Sequence, residues 1–216
     1  GHLAALAADD AIAAVVIIGG EKAFAAGADV EDLPPPAEAP AFVQTWRCVL
    51  DFPKPIVAAV GGHCLGGGFE VALMCDIVIA ADTARFGLPE TGLGLLPGAG
   101  GTQLLPRTVG RSLAAEVILA GRVLTADEAL AHGVASRVVP APGLEEAAVG
   151  VATAIAAKGP VATRHAKAAL QAARALPLAD GLAQECDSFA TLLATEDWNE
   201  GRAALAERRP ASFSGR

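Results

Sequence analysis

Short β-branched runs alternate with glycine-rich turns along the first two thirds of the chain, and after residue 142 the apolar positions fall into helical periodicity alone. Ala14–Ile18 (AVVII), closed by Gly19-Gly20, predicts a buried strand. The stretch EKAFAAGADVEDLPPPAEAP reads as a loop, with its prolines excluding regular structure over 34–36. Ala41–Leu50 is expected to be helical, and Pro53 and Pro55 punctuate the approach to a second strand, Ile56–Val60. After a triple glycine the pattern predicts a helix from Phe69 to Met74, a strand over Ile77–Ala80 and a short extended piece at Arg85-Phe86. Beyond LPETGLGLLPGAGG, helices are expected from Gly100 toward Leu105, over Leu113–Ala120 and over Ala126–Ala131, with a small strand at Arg137–Val139. Leu144–Ala157, Pro160–Ala173, Leu178–Ala194 and Glu196–Glu207 then follow as helices with no strand pattern between them. The expected organisation is an α/β part over 1–142 and a helical part over 143–216.

Composition narrows the function. At 53% hydrophobic over 216 residues the chain can build a sizeable core. A net charge of −8, 4% aromatics and no tyrosine argue against a nucleic-acid partner. No apolar run approaches the length of a membrane span, and GHLAALAADD has neither a basic region nor a cleavage pattern. The expectation is therefore no membrane partner and a cytoplasmic location. Four cysteines without a CxxC pair read as free thiols, and the scattered histidines give no metal site.

Candidate chemistry gathers at CLGGGFEVALMCD, residues 64–76. Gly66, Gly67 and Gly68 follow a strand and open a helix, but neither a dinucleotide fingerprint nor a P-loop lysine is present. A glycine run at a helix start instead bares N–H groups to a ligand that can approach the backbone closely. Glu70 stands in the first turn of that helix, and Glu90 stands in a second Pro/Gly-rich loop. Two carboxylates at one substrate can divide acid and base work when their environments separate their pKa values. Each feature alone also has a plain structural reading: close packing for the glycines, a dipole-favoured carboxylate for Glu70, and a solvated charge for Glu90.

Three blocks in order carry a resemblance: KAFAAGADVEDL, PIVAAVGGHCLGGGFEVALMCDIVIA and ARFGLPETGLGLLPGAGGTQLLPRTVG. Together they resemble the signature blocks of the enoyl-CoA hydratase/isomerase (crotonase) superfamily, from about Leu3 to the end of the chain. The resemblance implies an α/β crotonase-like (ClpP/crotonase) spiral of repeated ββα units, with a C-terminal helical region for trimerisation. The strands that usually open the family are absent ahead of LAALAADD.

The resemblance also implies an oxyanion hole from the amides of Ala28 and Gly67, holding the thioester oxygen of an acyl-CoA. It implies that Glu70 and Glu90 handle the water added across a 2,3 double bond, with Glu90 as proton donor and Glu70 as base. Gly98 is expected to hold the second glutamate or the water. Ala26, Asp29, Val30, Glu31 and Gly66 complete the substrate-binding set, and the 33–46 segment helps line the acyl pocket. Coenzyme A enters as part of the substrate, so no separate cofactor is expected. Lys22, Lys54 and Arg208-Arg209 are candidates for its phosphates, and Phe213 for a neighbour's cleft. The implied activity is enoyl-CoA hydration in a homotrimer or homohexamer. The alternatives are double-bond isomerisation, another acyl-CoA transformation, or acyl-CoA binding without catalysis.

Overall fold

The computed structural model describes residues 2–216. A short helix, α1 (His2–Ala8), precedes β1 (Val15–Ile18), β2 (Ala23–Ala25) and α2 (Ala39–Leu50). Next come β3 (Ile56–Val60), β4 (His63–Leu65) and α3 (Gly67–Met74), then β5 (Ile77–Ala81), β6 (Arg85–Gly87), α4 (Gly101–Val109) and α5 (Arg111–Leu119). β7 (Leu124–Thr125), α6 (Ala126–Ala131) and β8 (Arg137–Val139) lead into four helices: α7 (Leu144–Ala156), α8 (Pro160–Ala175), α9 (Leu178–Leu192) and α10 (Glu196–Glu207).

Two four-stranded sheets result. The first is parallel throughout, in the order β1-β3-β5-β8, and the second runs β2-β4-β6-β7 with only β7 antiparallel. Each of the first three turns of the spiral lays one strand in the first sheet, turns a corner, lays the next in the second sheet and closes with helix. The corners stack: His63 N–H donates to Lys22 O at 3.0 Å and Arg85 N–H to Gly62 O at 2.8 Å. This is the expected succession of ββα units, reached without a detectable sequence repeat. β3 (IVAAV) is buried at every position, as a continuous apolar run in the middle of a parallel sheet should be.

Several boundaries differ from the sequence reading. β2, β4 and β7 lie outside the elements the sequence predicts: two or three residues show no period of two, and unlike β8 (RVV) these carry no run of β-branched residues. β2 falls inside the stretch read as loop. α3 starts at Gly67 rather than Phe69. α4 continues past Pro106 to Val109, one turn beyond the proline at which the reading stopped, with Gly110 N–H closing on Pro106 O.

The larger core lies between the sheets and α3–α6, centred on Phe69, Phe86 and Leu105. α7, the first helix of the 143–216 stretch, packs Leu144 and Ala148 on the other face of the first sheet, against Val57, Ala59, Ile79 and Ala81. Two buried lysines pin outer helices to this frame. Lys54, 3% exposed, donates to Leu6 O and Asp9 O at 2.9 and 2.7 Å and so caps the end of α1. Lys167 of α8 donates to Asp76 Oδ2 at 2.7 Å and to Lys54 O at 2.8 Å. The same Asp76 oxygen accepts Ile56 N–H at 2.8 Å. Asp76 thus acts as a structural acid that ties the turn after α3 to β3 and α8.

Candidate active site

The second sheet positions the site. β2, β4 and β6 lie side by side and parallel, and the chain leaves their carboxyl ends in three successive loops. The first loop carries Ala26-Gly27-Ala28, the second Gly66-Gly67 and the third Pro89-Glu90. All seven residues line one cavity of about 480 Å³, in keeping with the rule that open parallel sheets bind ligands beyond their carboxyl ends.

Glycine is required where two loops meet. Gly66 takes φ +53°, a conformation L side chains rarely adopt, and so turns the chain from β4 into α3. A Cβ on Gly27 would lie 3.1 Å from Gly67 N, and one on Gly67 would lie 3.4 Å from Gly27 Cα and 3.8 Å from Ala28 N. The two backbones therefore approach to near contact, bringing the Ala28 and Gly67 amides together at the cavity wall. Among the described residues the Ala28 N–H has no hydrogen-bond acceptor in the protein. The Gly67 N–H is the first of α3 and belongs to the donors a helix leaves unpaired. Two such donors at the positive end of a helix are suited to stabilising negative charge on a ligand oxygen.

The two carboxylates are held differently. Glu70, 3% exposed, is aimed by the first turn of α3 at the start of α4. There its Oε1 accepts Ala99 N–H at 2.8 Å and Gly101 N–H at 2.7 Å. Gly101 has no room for a side chain, since a Cβ there would meet Pro97 Cβ at 2.8 Å and Leu88 Cδ1 at 2.9 Å. Burial raises the Glu70 pKa, opposed by the amides of Gly101, Ala99 and Gly100. Glu90 opens a 3-10 turn fixed by Leu95 N–H to Glu90 O at 3.0 Å and by Thr91 Oγ1 to Ile118 O at 2.8 Å. Its Oε2 is buried with no hydrogen-bond partner, an orphan of the sort that buried polar atoms rarely leave without function. Burial raises the Glu90 pKa, its own backbone N–H lowers it, and the charge of Glu70 raises it again. Burial thus pushes both carboxyls upward; Glu70 is held by backbone amides, whereas Glu90 Oε2 has no partner.

A stability consequence follows from Glu90. A carboxyl whose pKa is raised on folding costs stability when ionised, and the cost fades as pH falls through the raised value toward the ordinary 4.5. Glu90→Gln should therefore melt above the wild type in mildly alkaline buffer, and the gap should close on acidification toward pH 4.5. Thermal melts of both proteins across that range check the sign, and a gap that widens on acidification would contradict it.

The structure brings Ala26, Ala28, Val30, Gly66, Gly67, Glu70, Glu90 and Gly98 to the cavity. Asp29 and Glu31 are exposed and outside its lining; Asp29 Oδ1 accepts Glu31 N–H at 3.1 Å. Gly98 lies against Val43 of α2, and the amides that hold a glutamate are those of Ala99 and Gly101, on Glu70 rather than Glu90. Those two donors are backbone groups without a side-chain signal; the crowding at Gly101 is the trace they leave. Lys54 is committed to the α1 carbonyls and cannot meet a phosphate. Arg209 pairs with Glu200 and Glu207, whereas Lys22 and Arg208 are exposed. Phe213 packs beside Gly159 and Gly201 of its own chain. Among the described residues no group of three or more His, Cys, Asp or Glu could hold a metal, and no helix is long and apolar enough to cross a membrane.

Known proteins resemble this chain over most of their length. A 2,3-dehydroadipyl-CoA hydratase of Escherichia coli is 44% identical over 219 residues, spanning 100% of this chain and 86% of the relative. A mitochondrial enoyl-CoA hydratase of Pongo abelii is 41% identical, spanning 95% of this chain and 72% of that protein. The crystal structure of an enoyl-CoA hydratase from Bacillus anthracis superposes with a TM-score of 0.94 at 38% identity, covering 100% of this chain and 86% of that one. The two-sheet spiral is therefore the crotonase fold, as expected. Because the family model for enoyl-CoA hydratase/isomerase matches residues 2–216 as well, the chain belongs to that family of enzymes.

Proposed function

We propose that the chain hydrates trans-2-enoyl-CoA thioesters to 3-hydroxyacyl-CoA. The observation that carries the reading is the meeting of two backbone amides, the buried Glu70 and the half-buried Glu90, whose Oε2 has no partner, in a single cavity. The amides of Ala28 and Gly67 hold the thioester oxygen. Glu70 takes a proton from water as its oxygen bonds to C3. The C2=C3 electron pair moves onto the thioester oxygen as an enolate, and the amides, fixed before reaction, hold that charge. Glu90 gives its proton to C2 as the carbonyl re-forms. Glu70 then loses its proton to solvent and Glu90 regains one, so the balance is one water gained.

Coenzyme A belongs to the substrate in this reading, and no separate cofactor takes part. The enzyme works in the cytoplasm, as a trimer or paired trimer built through the C-terminal helices. Support for self-association comes from α9, which has no buried residue and leaves Leu178 79% and Phe189 64% exposed. Incubation with matched 2-enoyl and 3-enoyl thioesters, with products identified by mass and NMR, tests the reaction. The expected result is a mass gain of one water on the 2-enoyl ester. Interconversion of the two enoyl esters without water gain would make the enzyme an isomerase instead.

A further inference from the structure

We propose that Thr91 is a positioning residue, whose hydroxyl, bonded to the Ile118 carbonyl at the end of α5, fixes where the Glu90 carboxyl stands in the cavity. The inference rests on the reading that Glu90 passes a proton to the substrate. Glu70 is aimed by two amides on its own Oε1, but Glu90 Oε2 has no partner, so that carboxyl stands where the backbone of its turn puts it. The chain is gripped on either side of the turn by Leu88 and Pro97, both fully buried. Between them the backbone closes on itself: Gly92 N–H donates to Pro89 O at 2.9 Å, Gly94 N–H to Thr91 O at 3.1 Å and Leu95 N–H to Glu90 O at 3.0 Å. Leu93, Leu95 and Leu96 are 61%, 49% and 64% exposed, and a Cβ on Gly92 or Gly94 would touch nothing, so packing gives the outer half of the turn little hold. Among the described residues one hydrogen bond ties residues 89–96 to another element: Thr91 Oγ1 donates to Ile118 O at 2.8 Å.

The bond meets a need at each end. Ile118 is the last residue but one of α5, where a helix leaves its carbonyls without backbone donors. The Ala120 and Arg122 N–H groups that follow both turn back to Glu116 O, which leaves Ile118 O for the threonine. α5 is itself fixed, with Ala114 and Val117 buried in the larger core. Thr91 therefore carries the rigidity of the core to the residue beside it. Glu70 of α3 is the one other ionisable side chain lining the cavity among the described residues, and it repels Glu90 whenever both are ionised. Without the hydroxyl the turn is free to swing Glu90 outward, toward water and away from Glu70. A reacting group displaced by about 1 Å can lose on the order of 100-fold in rate, and a turn still gripped at both ends should lose less, about ten-fold.

The test removes the hydroxyl and keeps the shape. Thr91→Val should lower kcat on crotonyl-CoA about ten-fold with KM within about two-fold, and Thr91→Ser, which restores the donor, should recover it. In a Glu90→Gln background the same valine should cost less than about two-fold, since no acid remains to be placed. Carbon-13 titration of the glutamate carboxyls in the substrate-free protein, with Glu90 assigned through Glu90→Gln, reads the tether without turnover. Burial holds the Glu90 carboxyl above the ordinary 4.5, so Thr91→Val should bring its midpoint down toward that value while Thr91→Ser leaves it at the wild-type position. A Glu90 curve unchanged by Thr91→Val overturns the proposal. So does an unaltered kcat in an active Thr91→Val enzyme, or a kcat loss equal in the two backgrounds, which is what lost stability alone would give. A shifted Glu90 curve in a protein that hydrates no enoyl ester supports the tether and sinks the hydratase reading, so the two failures are distinguishable. Should Thr91→Val not fold, Thr91→Ala set against Thr91→Ser makes the same comparison.

Discussion

Glu70→Gln should lose turnover and keep its fold. Glutamine retains the oxygen that accepts the Ala99 and Gly101 amides, at 2.8 and 2.7 Å in the wild type, so the start of α4 has no reason to move. It cannot take a proton from water. On crotonyl-CoA, kcat is expected to fall by about 10²–10⁴-fold, the usual worth of a positioned base, with KM nearly unchanged. The melting temperature should stay close to the wild-type value. Glu70→Leu separates the two roles, since it removes the acceptor as well and leaves two buried N–H groups unpaired, so it should lose stability along with activity. A Glu70→Gln enzyme with near-full kcat would remove Glu70 from the mechanism.

The second large effect is structural and needs one methyl group. A Cβ on Gly68 would sit 2.3 Å from Ala25 O and 2.7 Å from both its carbonyl carbon and its Cβ. The obstacle includes the backbone of β2, so no rotamer change relieves it, and α3 must back away from the strand. Gly68→Ala is expected to cost about 3 kcal/mol of stability. That corresponds to about 6–12 °C in melting temperature for a chain of this size. Because Ala28 follows β2 and Gly67 begins α3, the same displacement parts the two amides, and kcat should fall with stability. Gly92→Ala is the control: nothing lies within 4 Å of the added carbon, and neither quantity should change appreciably. A Gly68→Ala protein as stable and active as the wild type would mean that the β2–α3 junction yields far more easily than its geometry indicates.

What the sequence discloses depends on whether a feature leaves a side-chain pattern. β3 could be read because five apolar residues in a row bounded by prolines and glycines have few other uses, and α7–α10 because their periodicity runs for several turns. β2 and β4 could not be read, although the site hangs from their ends, because three residues show no periodicity and their pairing is set by neighbouring turns of the spiral. The site shows the same division. Glu70 and Glu90 are visible as acids in apolar or glycine-rich settings, and the resemblance then supplies roles for them. The amides that hold Glu70 carry no letter of their own. Lys54 looked like a surface cation, and its burial depends on carbonyls at the end of α1, more than forty residues away. Asp29 and Glu31, which follow Ala28, stand exposed outside the cavity lining, whereas Val30 between them is part of it.

The spiral has a consequence in time as well as in space. Ala28, Gly67 and Glu90 each sit just past the second-sheet strand of a different turn, and the amides that steady Glu70 come later still, at Ala99 and Gly101. On a chain emerging from the ribosome, the first turn carries one amide donor and no acid. The second turn adds the partner amide and Glu70, but the loop that steadies Glu70 has not yet been made. Only when the third turn has stacked and α4 has begun do all the parts coexist. Contacts joined across this much sequence form slowly and late. A chain that stops short of α4 therefore lacks the assembled cavity, even though its first two turns are already made.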